Sequence, residues 1–386
     1  MTSPAEARAA PPAWAGIAAA LGCGFVAAVG FGVNGALFAL TLDDRGVGET
    51  LIGLFVTVTG VAALIATPAV PWLMARLPVK AILAGALLIT ACLFLAYRLS
   101  DAPAAWIAIR FLFAASLTLL FVASEAWLLE LTPAHLRGRL LGLYAGTFAG
   151  GFGVGGLIIA GLGHEGWPVV LAAAGTSLLA LPILALRAPP ATRPEGAAAR
   201  PSALIARVLA APTLFIPPIA MGAIETALFN LLPIWSRRTG FEDTVAGLLI
   251  AAAAAGNVAL QAPLGLLADK IGRRPVLIGV SIIGLIGPFL LAAAPTPALA
   301  YAAIFFWSGS VTAFYTLGLL GIGQKFSAGE LAGANAAFAA CYGLGQLMAP
   351  VIGGGALQAG GPDGLMTALA LMALAPFFTV LLDKRN

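Results

Sequence analysis

Twelve runs of about 20 apolar residues leave this chain little choice of fold. The first six lie roughly at Trp14–Leu42, Thr50–Val70, Lys80–Tyr97, Ala104–Leu131, Arg139–Leu162 and Trp167–Leu186. The last six lie at Pro212–Trp235, Thr244–Ala268, Pro275–Ala294, Ala298–Gly323, Leu331–Gln358 and Gly364–Leu382. Bilayer hydrocarbon offers no water to backbone N–H and C=O groups, so each run must satisfy them internally, as a helix. Charge points the same way: 9% of the 386 residues are charged, against about 25% in a soluble domain. The expected architecture is an all-α membrane protein of twelve transmembrane helices. The first run is too long for the apolar core of a cleaved signal and is expected to stay as a span.

Arg187 to Ala211 is the longest polar stretch and separates six runs from six. The expected organisation is a tail at 1–12, a six-helix bundle at 13–187, a loop at 188–211, a second bundle at 212–382 and a tail at 383–386. One set of loops holds Arg8, Arg76, Lys80, Arg137, Arg139, Arg187, Arg193, Arg200, Arg207, Lys270, Arg273, Arg274, Lys325, Lys384 and Arg385. The other set holds only Arg45, Arg98, Arg237 and Arg238. Basic residues favour the cytoplasmic side, so both termini and the central loop are expected there. The net charge of +4 is thus a topology signal and does not imply nucleic acid.

The two halves repeat. A shift of 194 residues lays Pro71–Leu83 on Gly265–Leu277, with Arg76 on Lys270, Lys80 on Arg274 and Gly85 on Gly279. The same shift lays Glu49-Thr50-x-x-Gly53-Leu54 on Asp243-Thr244-x-x-Gly247-Leu248, and a shift of 191 lays Asn34 on Glu225. Repeats of this kind build many transporter folds.

The stretch Gly265-Leu-Leu-Ala-Asp-Lys-Ile-Gly-Arg-Arg-Pro-Val-Leu277 is a polar hairpin between two apolar runs. Its Gly265, Asp269, Gly272, Arg273 and Arg274 resemble the loop signature of the major facilitator superfamily (MFS) of secondary transporters. The resemblance implies two pseudo-symmetric six-helix bundles around a central cavity. It further implies that the cavity is lined by spans one, two, four, five, seven, eight, ten and eleven.

Three ionisable residues lie inside runs: Arg110, Glu125 and Glu225. Each costs at least about 2.5 kcal/mol at mid-bilayer, so such residues face a cavity or a partner. Arg110-Phe-Leu-Phe-Ala114 resembles the fourth-helix Arg-x-x-x-Gly motif of drug–proton antiporters, with Ala114 in place of the Gly. The fifth run carries Gly146, Gly150, Gly151, Gly153, Gly155 and Gly156. It resembles the antiporter motif, although the Pro and the Gly pair of that motif occur here in the eleventh run, at Ala349-Pro350 and Gly353–Gly355. Close helix packing explains the same glycines. Asn34, Asn230, Asn257, Gln261, Tyr315, Asn335, Tyr342 and Gln346 are polar and lie on runs assigned to the cavity. Glu125 serves either as a partner for a cytoplasmic cation or as a substrate contact.

In the repeat, Asp269 falls on Ala75, and Arg137-Gly-Arg139 falls on Ala332-Gly-Ala334. The expectation is therefore one cytoplasmic clasp, Asp269 to the start of the fifth span beside Arg137 and Arg139. Glu225 is expected to hold the coupling proton, with Arg110 tuning it, because desolvation raises a carboxylate's pKa and a nearby arginine lowers it.

Cys23, Cys92 and Cys341 are scattered in apolar runs, and the two histidines, His135 and His164, lie in loops, so neither a disulfide framework nor a metal site is expected. The spacing offers no phosphate loop and no nucleophile–base pair. No cofactor and no enzymatic activity are expected. The resemblance implies a monomeric, proton-coupled exporter of a small, fairly apolar compound in a bacterial inner membrane. A proton-coupled importer of a sugar or other metabolite and a non-transporting receptor or scaffold are the alternatives.

Overall fold

The structure is a computed structural model that describes residues 14–99, 103–132, 136–185, 208–326 and 328–382. The first six spans are Trp14–Asp44, Glu49–Met74, Val79–Ala96, Pro103–Leu131, Arg137–Leu162 and Gly166–Leu184. The next four are Pro212–Arg238, Asp243–Ile271, Arg273–Ala292 and Pro297–Ile322. The seventh span contains Pro217, Pro218 and Pro233 and still runs its full length. The helical stretch Ala328–Met372 is continuous by hydrogen bonding over 45 residues, about 68 Å at 1.5 Å per residue. That is about twice the apolar thickness of a bilayer. Gly361 resolves it: φ 60°, ψ −153° breaks the helix, and Pro362 starts the next one. The eleventh span is therefore 328–360 and the twelfth 362–382. An even number of spans puts both chain ends on one side.

The repeat is visible in the helix ends. The first turn runs from Asp44 to Glu49 and the seventh-to-eighth turn from Arg238 to Asp243, each shifted by the 194 residues seen in the sequence. Gly46 (φ 70°) and Gly240 (φ 86°) occupy equivalent places in them, where a positive φ favours glycine. The Gly265–Leu277 hairpin turns at Gly272, whose φ of 92° explains the second glycine of that signature. Its N–H caps the eighth span at Ala268 O (2.9 Å).

Within the first half, the first span packs on the fourth and fifth, and the third on the fourth and sixth. Within the second half, the seventh packs on the eleventh and the eighth on the tenth. The halves meet along two seams, fifth with eighth and second with eleventh, and where the first span touches the seventh. Glycines set how close these seams are. A methyl group on Gly156 would sit 2.6 Å from Gly247 O, and one on Gly53 would strike the Pro350 carbonyl. Gly151 and Gly155 press on the first span, and Gly345 on the seventh. Gly151, Gly155 and Gly156 of the fifth span and Gly345 and Gly354 of the eleventh are thus close-packing positions.

Both seams open in the same direction. On the fifth span the stripe Gly156, Gly153, Gly150, Gly146 starts against the eighth and ends in open space at Gly150 and Gly146. On the eleventh span Gly354, Pro350 and Leu347 touch the second, and Gly343, next on that stripe, meets nothing within 4 Å. The halves are closed at the end holding the Asp44–Glu49 and Arg238–Asp243 turns. They part toward the end holding Asp269 and Arg274. The closed end lies away from the basic loops expected on the cytoplasmic side and is termed the outer end, the other the inner end.

Candidate transport site and outer gate

Arg110 stands at the centre of the closed region. It is 2% exposed, in the outer part of the fourth span. Its Nη1 donates to Asn34 O (3.1 Å) and to Asn34 Oδ1 on the first span. Its Nη2 donates to Asn230 Oδ1 (3.0 Å) on the seventh span, in the other half. Its guanidinium lies 4.4 Å from the Phe38 ring centre. Asn34 Nδ2 donates to Tyr97 Oη (2.9 Å), and Asn230 Nδ2 to Thr226 O (2.8 Å). A buried cation needs several acceptors, and here amide oxygens from both halves provide them.

Glu225 lies about 7.5 Å along the seventh span from Asn230, five residues at 1.5 Å each. Its Oε2 accepts from Tyr342 Oη of the eleventh span. Among the described residues it forms no ion pair, with Arg110 or any other cation. Tyr342 packs edge-on against Tyr315 (5.5 Å), which lies within electrostatic reach of both Glu225 and Glu125. Glu125 is half-buried one turn beyond Phe121. Half-buried rings of Phe31, Phe121, Phe148 and Phe152 form the facing wall, and Phe152 reaches Phe229 of the other half at 4.9 Å. The space between the halves therefore has aromatic walls and two carboxylates, closed above by the Arg110 bridge.

The other polar candidates divide. Gln261 and Gln346 are half-buried on the eighth and eleventh spans. Asn257 is buried in the joint between the eighth and tenth spans. With its amide nitrogen turned to the tenth span it donates to Ser308 Oγ (2.9 Å) and Thr312 Oγ1 (2.8 Å). This polar pairing holds two helices of one half together. The side chains of Asn335, Arg137 and Arg139, and all of His135 and Arg200, lie outside the described residues. Asp269 is exposed and joins no ion pair among the described residues. Gly265 has open space around it. Arg274 Nη2 donates to Leu381 O (3.2 Å), and the Arg273 side chain packs over Gly321.

The outer end carries a cluster that motif reading overlooked. Arg237 donates to Asp44 Oδ1 (2.6 Å) and, within its own half, to Asp243 Oδ1 (2.6 Å). Arg238 reaches Asp43 (2.8 Å) and Glu49 (2.9 Å). His164 Nε2 lies 2.6 Å from Asp44, and its Nδ1 lies 3.0 Å from Asp243. The signal was in the repeat: the 194-residue shift lays Asp43-Asp44 on Arg237-Arg238. Opposite charges at equivalent positions face each other across the pseudo-two-fold axis.

A sequence model described as Major Facilitator Superfamily matches residues 20–245 and 219–385. The chain belongs to that superfamily. Among its relatives is an uncharacterized MFS-type transporter of Bacillus subtilis, YfkF, 23% identical over 353 residues and 90% of each chain. The nucleoside transporter NupG superposes with a TM-score of 0.72 over 95% of this chain and 99% of that one, at 13% identity. A D-xylose-proton symporter superposes with a TM-score of 0.73 over 97% of this chain and 96% of that one, also at 13% identity. The protein is therefore an MFS transporter, not an enzyme. In MFS terms, the Arg110 bridge and the cleft below it sit where the two bundles meet.

Proposed function

We propose that this MFS transporter exports a small, largely apolar compound in exchange for protons, by alternating access, with Glu225 carrying the proton. The observation that supports this is the setting of Glu225: a carboxyl group on a cleft-lining membrane helix, bonded to a tyrosine hydroxyl and to no cation among the described residues. As a neutral acid it can rest there, whereas an ionised one requires a cation or water. Opening the outer end separates the seventh span from the first and fourth, and the Arg110–Asn230 bond breaks. The field of Arg110 at Glu225 then changes with the conformation, which gives proton loading and release on opposite sides. The aromatic walls favour a largely apolar substrate. Asn34 orients Arg110 and does not titrate.

On this reading the transporter works as a monomer in a bacterial inner membrane, with both termini on the cytoplasmic side favoured by the basic loops. The same proton site also serves an importer, so the direction of pH-driven substrate movement separates the two readings. The test uses proteoliposomes, an imposed pH gradient and a panel of small apolar fluorescent compounds, sugars and nucleosides. Glu225→Gln should lose pH-driven accumulation and keep substrate counterflow. A Gln variant that still accumulates substrate in response to pH removes Glu225 as the coupling residue.

A further inference from the structure

We propose that His164 is a second proton-binding site, and that its proton favours closure of the outer gate. His164 is 6% exposed and belongs to the fifth-to-sixth turn of the first half. Its Nε2 is 2.6 Å from Asp44 Oδ2, in its own half, and its Nδ1 is 3.0 Å from Asp243 Oδ2, in the other half. A carboxylate only accepts, so both ring nitrogens must carry hydrogen for both contacts to be hydrogen bonds. A neutral imidazole has one N–H, which leaves a lone pair facing an anion at either Asp44 or Asp243. Only the imidazolium donates at once to Asp44 of its own half and to Asp243 of the other.

The charges around it agree. The groups facing this gate from the packed elements are Asp43 and Asp44 of the first span, Glu49 of the second, Arg237 and Arg238 of the seventh, Asp243 of the eighth, and Glu165 beside the histidine. Asp43, Asp44, Glu49 and Asp243 bring four negative charges into the ion-paired network, and Arg237 and Arg238 bring two positive ones. A charged His164 reduces that imbalance. At the repeat-related position stands Gln358, whose Oε1 accepts from Thr50 N (3.2 Å). There an uncharged side chain suffices, because its partner is a backbone N–H. Asp44, His164 and Glu165 could hold a metal ion by proximity alone. However, the Arg237 guanidinium is 3.2 Å from His164 Nε2 and 2.6 Å from Asp44, so a cation already fills the space beside them.

An outer gate that closes on protonation takes its proton while the outer side is open. External acid then favours the inward-facing state, the return step of an exporter. The proposal does not depend on Glu225. The test is a distance measurement by pulsed electron resonance between spin labels at Leu51 and Ala359, exposed outer positions in opposite halves, with Cys23, Cys92 and Cys341 replaced by Ala. From pH 8.5 to pH 5.5 the ratio of outer-closed to outer-open protein should rise by about tenfold, within the tenfold-per-pH-unit limit of a single site. His164→Gln should flatten that response, and Asp243→Asn should weaken it, since a neutral ring then meets one carboxylate. Glu225→Gln should keep the part of the response that His164→Gln removes. The proposal is overturned if His164→Gln keeps the full pH response, if Glu225→Gln abolishes it, or if EDTA opens the gate and zinc closes it.

Discussion

Replacing Asn230 with Ala removes one bond between the halves and leaves the rest of the Arg110 site in place. Arg110 keeps Asn34 O at 3.1 Å, Asn34 Oδ1 and the Phe38 face, all in its own half. The bond lost is Arg110 Nη2 to Asn230 Oδ1, 3.0 Å and charge-assisted. Such a bond contributes about 1.5–3 kcal/mol. The local Asn230 Nδ2–Thr226 O bond lies within one helix turn and does not span the halves, so its loss is expected to cancel. The whole loss therefore falls on the outer-closed state, and the conformational ratio should shift toward outer-open by roughly tenfold to 150-fold. Spin labels at Leu77 and Ile271, exposed on the inner loops of opposite halves, report it: their long-distance population should fall as the inner ends close. A ratio unchanged within about twofold, well under that range, would mean that the bridge does not hold this conformation. Asn34→Ala is the contrasting variant. It strips an acceptor from Arg110 in both states and should lower stability more than it shifts the ratio.

Three further outcomes are expected. On a background lacking Cys92, a cysteine at Leu99 should react with an impermeant thiol reagent in intact cells and one at Leu77 should not; the reverse pattern would invert the topology. Asp269→Asn should favour the inward-facing state and slow transport, because the inner clasp to the start of the fifth span would be lost; unchanged transport and unchanged cross-linking there would discount the clasp. Gly156→Val should force the fifth and eighth spans apart, since backbone faces backbone at Gly247 and Ala251, at a cost of about 1–3 kcal/mol to the outer-closed state. Labels at Leu51 and Ala359 should then read a wider outer gate, and an unaltered distance would show that the seam can yield.

Span number, the hairpin at Gly272 and the two-fold repeat were legible in the sequence because they depend on neighbouring residues. Hydrophobic length decides a span, a positive φ decides a glycine, and repeats preserve spacing. Even the outer gate was written there, as Asp43-Asp44 against Arg237-Arg238, although only a known axis gives that alignment a meaning. Partner choice is another matter. Arg110 meets Asn34 across 76 residues and Asn230 across 120, and Arg237 meets Asp44 across 193. A buried polar group takes whichever acceptor the packed helices bring to it, and close glycine contacts help to set how those helices pack. Thus Glu225 met Tyr342, Asn257 met Ser308 and Thr312, and His164 came to lie between two aspartates of opposite halves, and only the tertiary structure could decide these pairings.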